Sequence, residues 1–281
     1  MKIGKMKSIE LLSCVYAFLL TLIFTTLFVC AGTGFGVFNN RGIIRNLNES
    51  NYYNKVYQEL QDRTSREIEA AGFPSTILED SITQDRVYIT GKNYQEAMLS
   101  TGETYIKTDK LKETLDLRLQ QYLKAKGIKA TEELANQLNV LTESIVQDYT
   151  NAIELPLLTS IMKYRTNFLS TLLLLVPILI VLAAILCFFL ARMHRYVHRG
   201  LRYIAYAMLS ASIIISAMAG YLMLTKPYQG IAAQPEYYRN FLQIYLRWNI
   251  TVFAYVGGMG MILAWVLMSL ISYLKNRMRN N

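Results

Sequence analysis

Charge is scarce in this chain. Asp, Glu, Lys and Arg make up 17% of 281 residues, against about a quarter in soluble domains. That deficit speaks against a disordered charged tail and against an ordinary cytosolic enzyme. Three cysteines are too few for a disulfide scaffold, and five prolines with 15 glycines exclude a collagen-like chain. Only two histidines are present. No GxSxG, HExxH, P-loop or EF-hand pattern occurs.

The missing charge is concentrated in four stretches. Residues 11–40, 166–191, 203–225 and 248–274 contain no Asp, Glu, Lys, Arg or His. Each is long enough to cross the hydrocarbon core, which takes about 20 apolar residues. The expected fold is all-α: a polytopic membrane protein with spans at 11–31, 166–191, 203–225 and 248–274. A helical bundle of four or five helices is inserted between the first two spans.

Orientation follows from the short flanks, because Lys and Arg beside a span are retained in the cytoplasm. Lys2, Lys5 and Lys7 precede the first span. Arg192, Arg195, Arg199 and Arg202 fill the loop at 192–202, and Lys275, Arg277 and Arg279 close the chain at 275–281. The short loop at 226–247 carries only Lys226, Arg239 and Arg247. Residues 1–10 and the tail are therefore expected inside, and residues 32–165 outside, in the cell membrane. The outside segment has a net charge of −2 and the remainder +11. The basic excess is thus a topology signal and an attraction for anionic lipid. It is not a nucleic-acid footprint, since no basic stripe with interleaved aromatics exists.

The first apolar core is longer than the 7–15 residues of a cleaved signal peptide, so it reads as an uncleaved signal anchor. The run Leu27-Phe28-Val29-Cys30 has the outline of a lipobox, but Val29 stands where a small residue is needed. Cys14, Cys30 and Cys187 all lie in or at the ends of spans, leaving the outside segment without a disulfide. That fits a bacterial envelope better than a eukaryotic surface.

Outside, the periodicity is helical. Tyr53, Val56, Tyr57, Leu60 and Ile68 recur at spacings of three and four, until Gly72 and Pro74 end the helix. A short piece at 75–82, containing the pair Glu79-Asp80, precedes a helix around 85–99 that Gly91 is expected to interrupt. Another helix runs over 110–126, capped by Thr108 or Asp109 and stopped by Gly127. The longest begins after Thr131, with Glu132 and Glu133 in its first turn, and ends near Pro156. Residues 39–50 read as a polar strap from the membrane, and Gly32, Gly34 and Gly36 as a flexible juncture. Pro156 can start a new helix that continues into the second span.

Candidate functional residues are few. His194 and His198 stand four apart, but with Arg192, Arg195, Arg199 and Arg202 around them they read as a basic turn rather than a metal site. The outside carboxylates are scattered along solvated helix faces. No catalytic residue, cofactor or metal is expected. Ionisable groups that would mark an ion path are missing from the spans. Ser212, Ser216 and Gly220 recur every four residues in the third span, and Gly258, Gly260 and Ala264 form similar strips in the fourth. Small residues so spaced allow two helices to approach closely. In the loop at 226–247, Tyr237, Tyr238 and Tyr245 lie on the aromatic side of a short interfacial helix, a collar that anchors in the headgroups or contacts the helical domain or a partner.

The expected function is a non-catalytic envelope protein whose outside helical domain binds or senses a partner. That partner is another protein or a second copy of the chain, with the bilayer as the standing environment. Arg192, Arg195, Arg199, Arg202, Tyr237, Tyr238 and Tyr245 are the candidate contacts. One span, a large outside domain and three further spans resemble, in topology, the FtsX/MacB type of ABC-transporter membrane subunit. That resemblance implies an alternative: a mechanotransmitting or exporting subunit with a cytoplasmic ATPase on the loop at 192–202 and the tail.

Overall fold

The computed structural model describes residues 2–78, 81–102, 105–128, 131–194 and 196–280, with side chains from Ile9 through Lys275 and Asn276 apart from Leu78. Among the described residues the chain is all-helical, without strands. Its α-helices are α1 (Lys2–Phe35), α2 (Asn40–Glu49), α3 (Tyr52–Ala70), α4 (Gln84–Ser100), α5 (Asp109–Ala125), α6 (Glu132–Ile153), α7 (Pro156–Met193), α8 (Val197–Thr225) and α9 (Glu236–Asn280). Short 3-10 turns cover Ser75–Leu78 and Pro227–Gly230. Four segments are long and apolar enough to cross a membrane: Ile9–Phe35, Pro156–Met193, Val197–Thr225 and Glu236–Asn276. The chain divides into two compact units, one of Met1–Gly42, Arg165–Ala232 and Leu242–Asn281, the other of Ile43–Tyr164 and Ala233–Phe241.

The first unit turns apolar side chains outward. Leu173, Leu174, Phe188, Leu224, Tyr255 and Trp265 are all exposed, a surface suited to lipid and ill suited to water. Several of its hydroxyls are satisfied within their own helices. Thr21, Thr25, Thr26 and Thr33 donate to carbonyls four residues back in α1, and Ser212 does the same in α8. Each such bond removes a polar group that hydrocarbon could not solvate. Inside, α1 packs along α8, and Leu20, Leu190, Ile204 and Ala207 form a buried cluster.

The glycine-rich end of α1 is a packed crossing, not the flexible juncture expected. Gly32 lies inside the helix, and a Cβ there would run into the Phe253 ring. At Gly36 a Cβ would come within 2.6 Å of Asn249 Oδ1. Beside it, the Tyr245 hydroxyl donates to the Val37 carbonyl at 2.8 Å.

The second unit is a bundle centred on α3, which packs against α4, α6 and the 3-10 turn at Ser75–Leu78; α5 packs against α6 and the same turn. Its core includes Val56, Leu60 and Ile68 of the α3 stripe, together with Leu111, Leu115 and Leu119 of α5 and Ile145 and Tyr149 of α6, all buried; Tyr57 of α3 and Leu134, Leu138 and Leu141 of α6 are only half-buried. Gly72 and Gly127 close α3 and α5 at φ +84° and +67°. The next amides, of Phe73 and Ile128, reach back to Ile68 and Leu123 carbonyls at 3.0 Å, the bonding of a glycine stop. Thr131 caps α6 by accepting from the Leu134 amide at 3.4 Å. Thr108 stands at the start of α5 but its side chain makes no capping bond.

Three expectations are corrected. Gly91 does not interrupt α4; it lets the helix lie against the Tyr53 ring, which a Cβ would strike. The strap at 39–50 is mostly helix α2, whose Ile43, Asn46 and Leu47 are buried. No separate interfacial helix exists among the described residues of 226–247, because α9 runs unbroken from Glu236. The pair Glu79-Asp80 lies outside the described residues.

Polar ties join the bundle helices. Arg63 pairs with Asp148 at 3.6 Å and Lys112 with Glu143 at 3.5 Å, while Thr142 donates to Asp116 at 3.0 Å. Glu67 accepts from Ser144 at 3.4 Å, yet burial and the neighbouring Asp148 carboxylate push its pKa above the usual carboxylate range. A carboxyl raised in this way holds its proton more tightly folded than unfolded. Ionising it therefore opposes folding above the folded value, and the cost vanishes below the unfolded value of about 4.3. Glu67→Gln keeps an acceptor for Ser144 and removes the repulsion, so the variant should be the more stable at pH 7, with the advantage fading below about pH 4. Thermal unfolding of both proteins across that pH range checks it; a constant difference would contradict the electrostatic cause.

Candidate functional site

The residues singled out in the sequence fall in three places. Arg192, Arg199 and Arg202 are exposed at the connection from α7 to α8; Arg195 lies outside the described residues. This connection is tight, since a Cβ at Gly200 would come within 2.7 Å of the Leu190 backbone carbon. His194 and His198 do not share a helix face, because α7 ends at Met193 and α8 begins at Val197. His194 Nε2 lies 3.0 Å from Ser13 Oγ and its ring stacks on Tyr203 at 5.5 Å. Ser13 already donates to the Ile9 carbonyl at 2.8 Å, so the histidine is the donor. This is a structural tie between α1 and the start of α8. Among the described residues no three His, Cys, Asp or Glu side chains converge as a metal site.

The loop tyrosines separate. Tyr237 is buried and meets Tyr52 edge-on at 5.3 Å, and Phe241 meets the same ring at 5.8 Å, all within the bundle unit. Tyr238 is half-buried. Tyr245 belongs to the other unit and bonds Val37.

The small residues meet with one shift of register. A Cβ on Gly257 would lie 3.0 Å from the Ser216 amide nitrogen and against its hydroxyl, and one on Gly260 would meet the Ser212 hydroxyl and the Phe28 ring. Ala264 is fully buried. By contrast, a Cβ on Gly220 or Gly258 would meet nothing within 4 Å. The strip in α9 therefore runs through Gly257 and the expected Gly260, with Gly257 in place of Gly258.

A cavity of about 820 Å³ lies in the bundle unit between α4, residues 105–107, the first turn of α5, and α6. That volume is in the range of small-molecule sites. Its floor is buried: Tyr94, Ile106, Leu111 and Tyr149 are at most 6% exposed. Tyr149 donates to Thr90 Oγ1 at 3.0 Å and approaches the Arg86 carbonyl at 3.4 Å. Burial pushes its hydroxyl acidity down, its pKa rising, with Thr90 and the Arg86 charge pulling the other way. The more exposed lining comprises Arg86, Ile89, Asn93, Tyr105, Lys107, Asp109 and Lys110. Arg86 is half-buried, its Nη1 donating to the Ser81 carbonyl at 2.6 Å. No pattern in the sequence marks this cavity, because its cations come from separate segments with no motif to join them.

Valine at Gly257 should destabilise the protein by about 1–3 kcal/mol, the cost of overpacking a tight contact, while valine at Gly258 should cost little. Thermal unfolding in detergent compares the two adjacent variants; equal losses would remove Gly257 from the α8–α9 contact.

The chain matches no protein-family model, no curated protein and no solved structure, so the reading of its function rests on the side chains themselves.

Proposed function

We propose that this chain is a multi-pass protein of the cell membrane, with both termini in the cytoplasm and residues 32–165 outside, and that its helical bundle binds or senses a ligand or partner without catalysis. The observation that carries this reading is the cavity of about 820 Å³ in the bundle, with its buried floor and charged rim. The bonds that order it run from Tyr149 to Thr90 and from Arg86 to Ser81, between side chains and neighbouring backbone. Such groups position a ligand; none of them pairs a nucleophile with a base. Lys and Arg crowded at the α7–α8 connection and the tail support the orientation.

The FtsX/MacB-like alternative keeps one specific support: Arg192, Arg199 and Arg202 are all exposed at the turn where a cytoplasmic ATPase would dock. Extraction in mild detergent separates the two readings. An ATPase retained with the protein favours the alternative; a stable oligomer of this chain alone removes it.

Topology is tested with single cysteines in a background lacking Cys14, Cys30 and Cys187. Asn93→Cys at the cavity rim and Ser100→Cys should react with a membrane-impermeant maleimide on intact cells, and Arg199→Cys only after lysis. The reverse pattern would overturn the orientation and, with it, an outward-facing binding site.

A further inference from the structure

The cavity between α4, α5 and α6 has a polarity of its own, and this specifies a ligand. Its floor is apolar and closed, formed by Tyr94, Ile106 and Leu111, each at most 6% exposed. Its rim carries charge beside the exposed Ile89 and Tyr105. Arg86, Lys107 and Lys110 face one carboxylate, Asp109, which leaves an excess of two positive charges in a segment whose net charge is −2. Lys107 and Lys110 are exposed and form no ion pair with the described residues. Arg86 is held in place from below by the Ser81 carbonyl, so its remaining donors are oriented before any ligand arrives. Like charges gathered on the rim of a concavity focus a positive field into it.

We infer that this cavity takes a small organic anion with an apolar body, its carboxylate or phosphate head among Arg86, Lys107 and Lys110 and its body on the floor of Tyr94, Ile106 and Leu111. The inference rests on the reading of the bundle as a binding module and adds the ligand's chemistry to it. Charge-assisted hydrogen bonds to Arg and Lys are about twice as strong as neutral ones, so the head distinguishes this ligand from a neutral molecule of the same shape. The apolar floor distinguishes it from a bare anion, which would leave that surface wet. The Tyr149 hydroxyl is committed to Thr90 and serves as part of the wall.

The test uses the full chain in nanodiscs of zwitterionic lipid, with empty nanodiscs as the reference. Naphthalene-2-carboxylate, naphthalene-2-carboxamide and acetate are titrated by calorimetry. The carboxylate should bind at least about tenfold more tightly than either of the others. Replacing both Lys107 and Lys110 by Ala should bring it down to the level of the carboxamide. Ala97→Trp, which fills the cavity from α4, should abolish binding of the naphthalenes, provided thermal unfolding shows the variant folded; Ala97→Leu serves if it is not. Equal affinity for carboxylate and carboxamide, abolished by the filling variant, would overturn the anion while leaving the binding module in place. No binding by any of the three, or binding that the filling variants leave unchanged, would overturn both.

Discussion

Hydrocarbon offers no hydrogen bonds, and much of this structure is arranged around that fact. A backbone amide left without a partner in a bilayer costs several kcal/mol, roughly. The four long apolar segments are therefore uninterrupted helix, with Pro177 accommodated inside α7. The same constraint reaches the side chains. Threonines that in water would bond solvent here bond their own helix, four residues back along α1. With no hydrophobic force to drive one helix onto another in lipid, close contact depends on small residues. Gly32 against Phe253, and Gly257 against Ser216, are two places where that approach is close.

The constraint also explains which features could be read in advance. Absence of charge over twenty or more residues is a strong signal, because a single ionised group would be costly there. The helical stripe of α3 is nearly as clear: Tyr53, Val56, Leu60 and Ile68 are buried and Tyr57 is half-buried. Glycine and threonine at helix ends acted locally, so Gly72, Gly127 and Thr131 read correctly. Gly91 did not. Inside a helix, glycine marks either a break or a close neighbour, and only the fold shows that the Tyr53 ring lies there. Residues 39–50 misled for a related reason. Their polar content hides an amphipathic helix whose buried face consists of Ile43, Asn46 and Leu47.

The candidate site was less legible than the fold. Its floor and rim come from α4, α5 and its approach, and α6, segments as far apart in sequence as Arg86 and Tyr149. No spacing rule connects them, and each of its apolar members had a sufficient explanation as core. Tyr149 shows the difficulty plainly. On the stripe of α6 it counts as one more buried aromatic; in the fold its hydroxyl ties α6 to Thr90 of α4 and its ring closes one side of the cavity.

For binding in that cavity to be felt elsewhere, a ligand must favour one arrangement of the bundle over another by its contacts. The wall it touches makes this concrete. Tyr149 lies one turn from the end of α6, and two residues, Glu154 and Leu155, separate that end from Pro156, the start of α7. Glu154 is extended, with φ −60° and ψ 134°, so the joint is a bend and not a continuous rod. A bend need not be loose. Ile153, Leu155 and Leu158 on its two sides are each at most 2% exposed, and rotating the joint freely would bring those side chains into water at about 1.5–3 kcal/mol apiece. The burial of those three side chains thus opposes free rotation at the joint. Since α7 is one helix to Met193 and is apolar enough to cross a membrane, the wall of the cavity and a membrane-spanning segment are joined by a single short, packed bend.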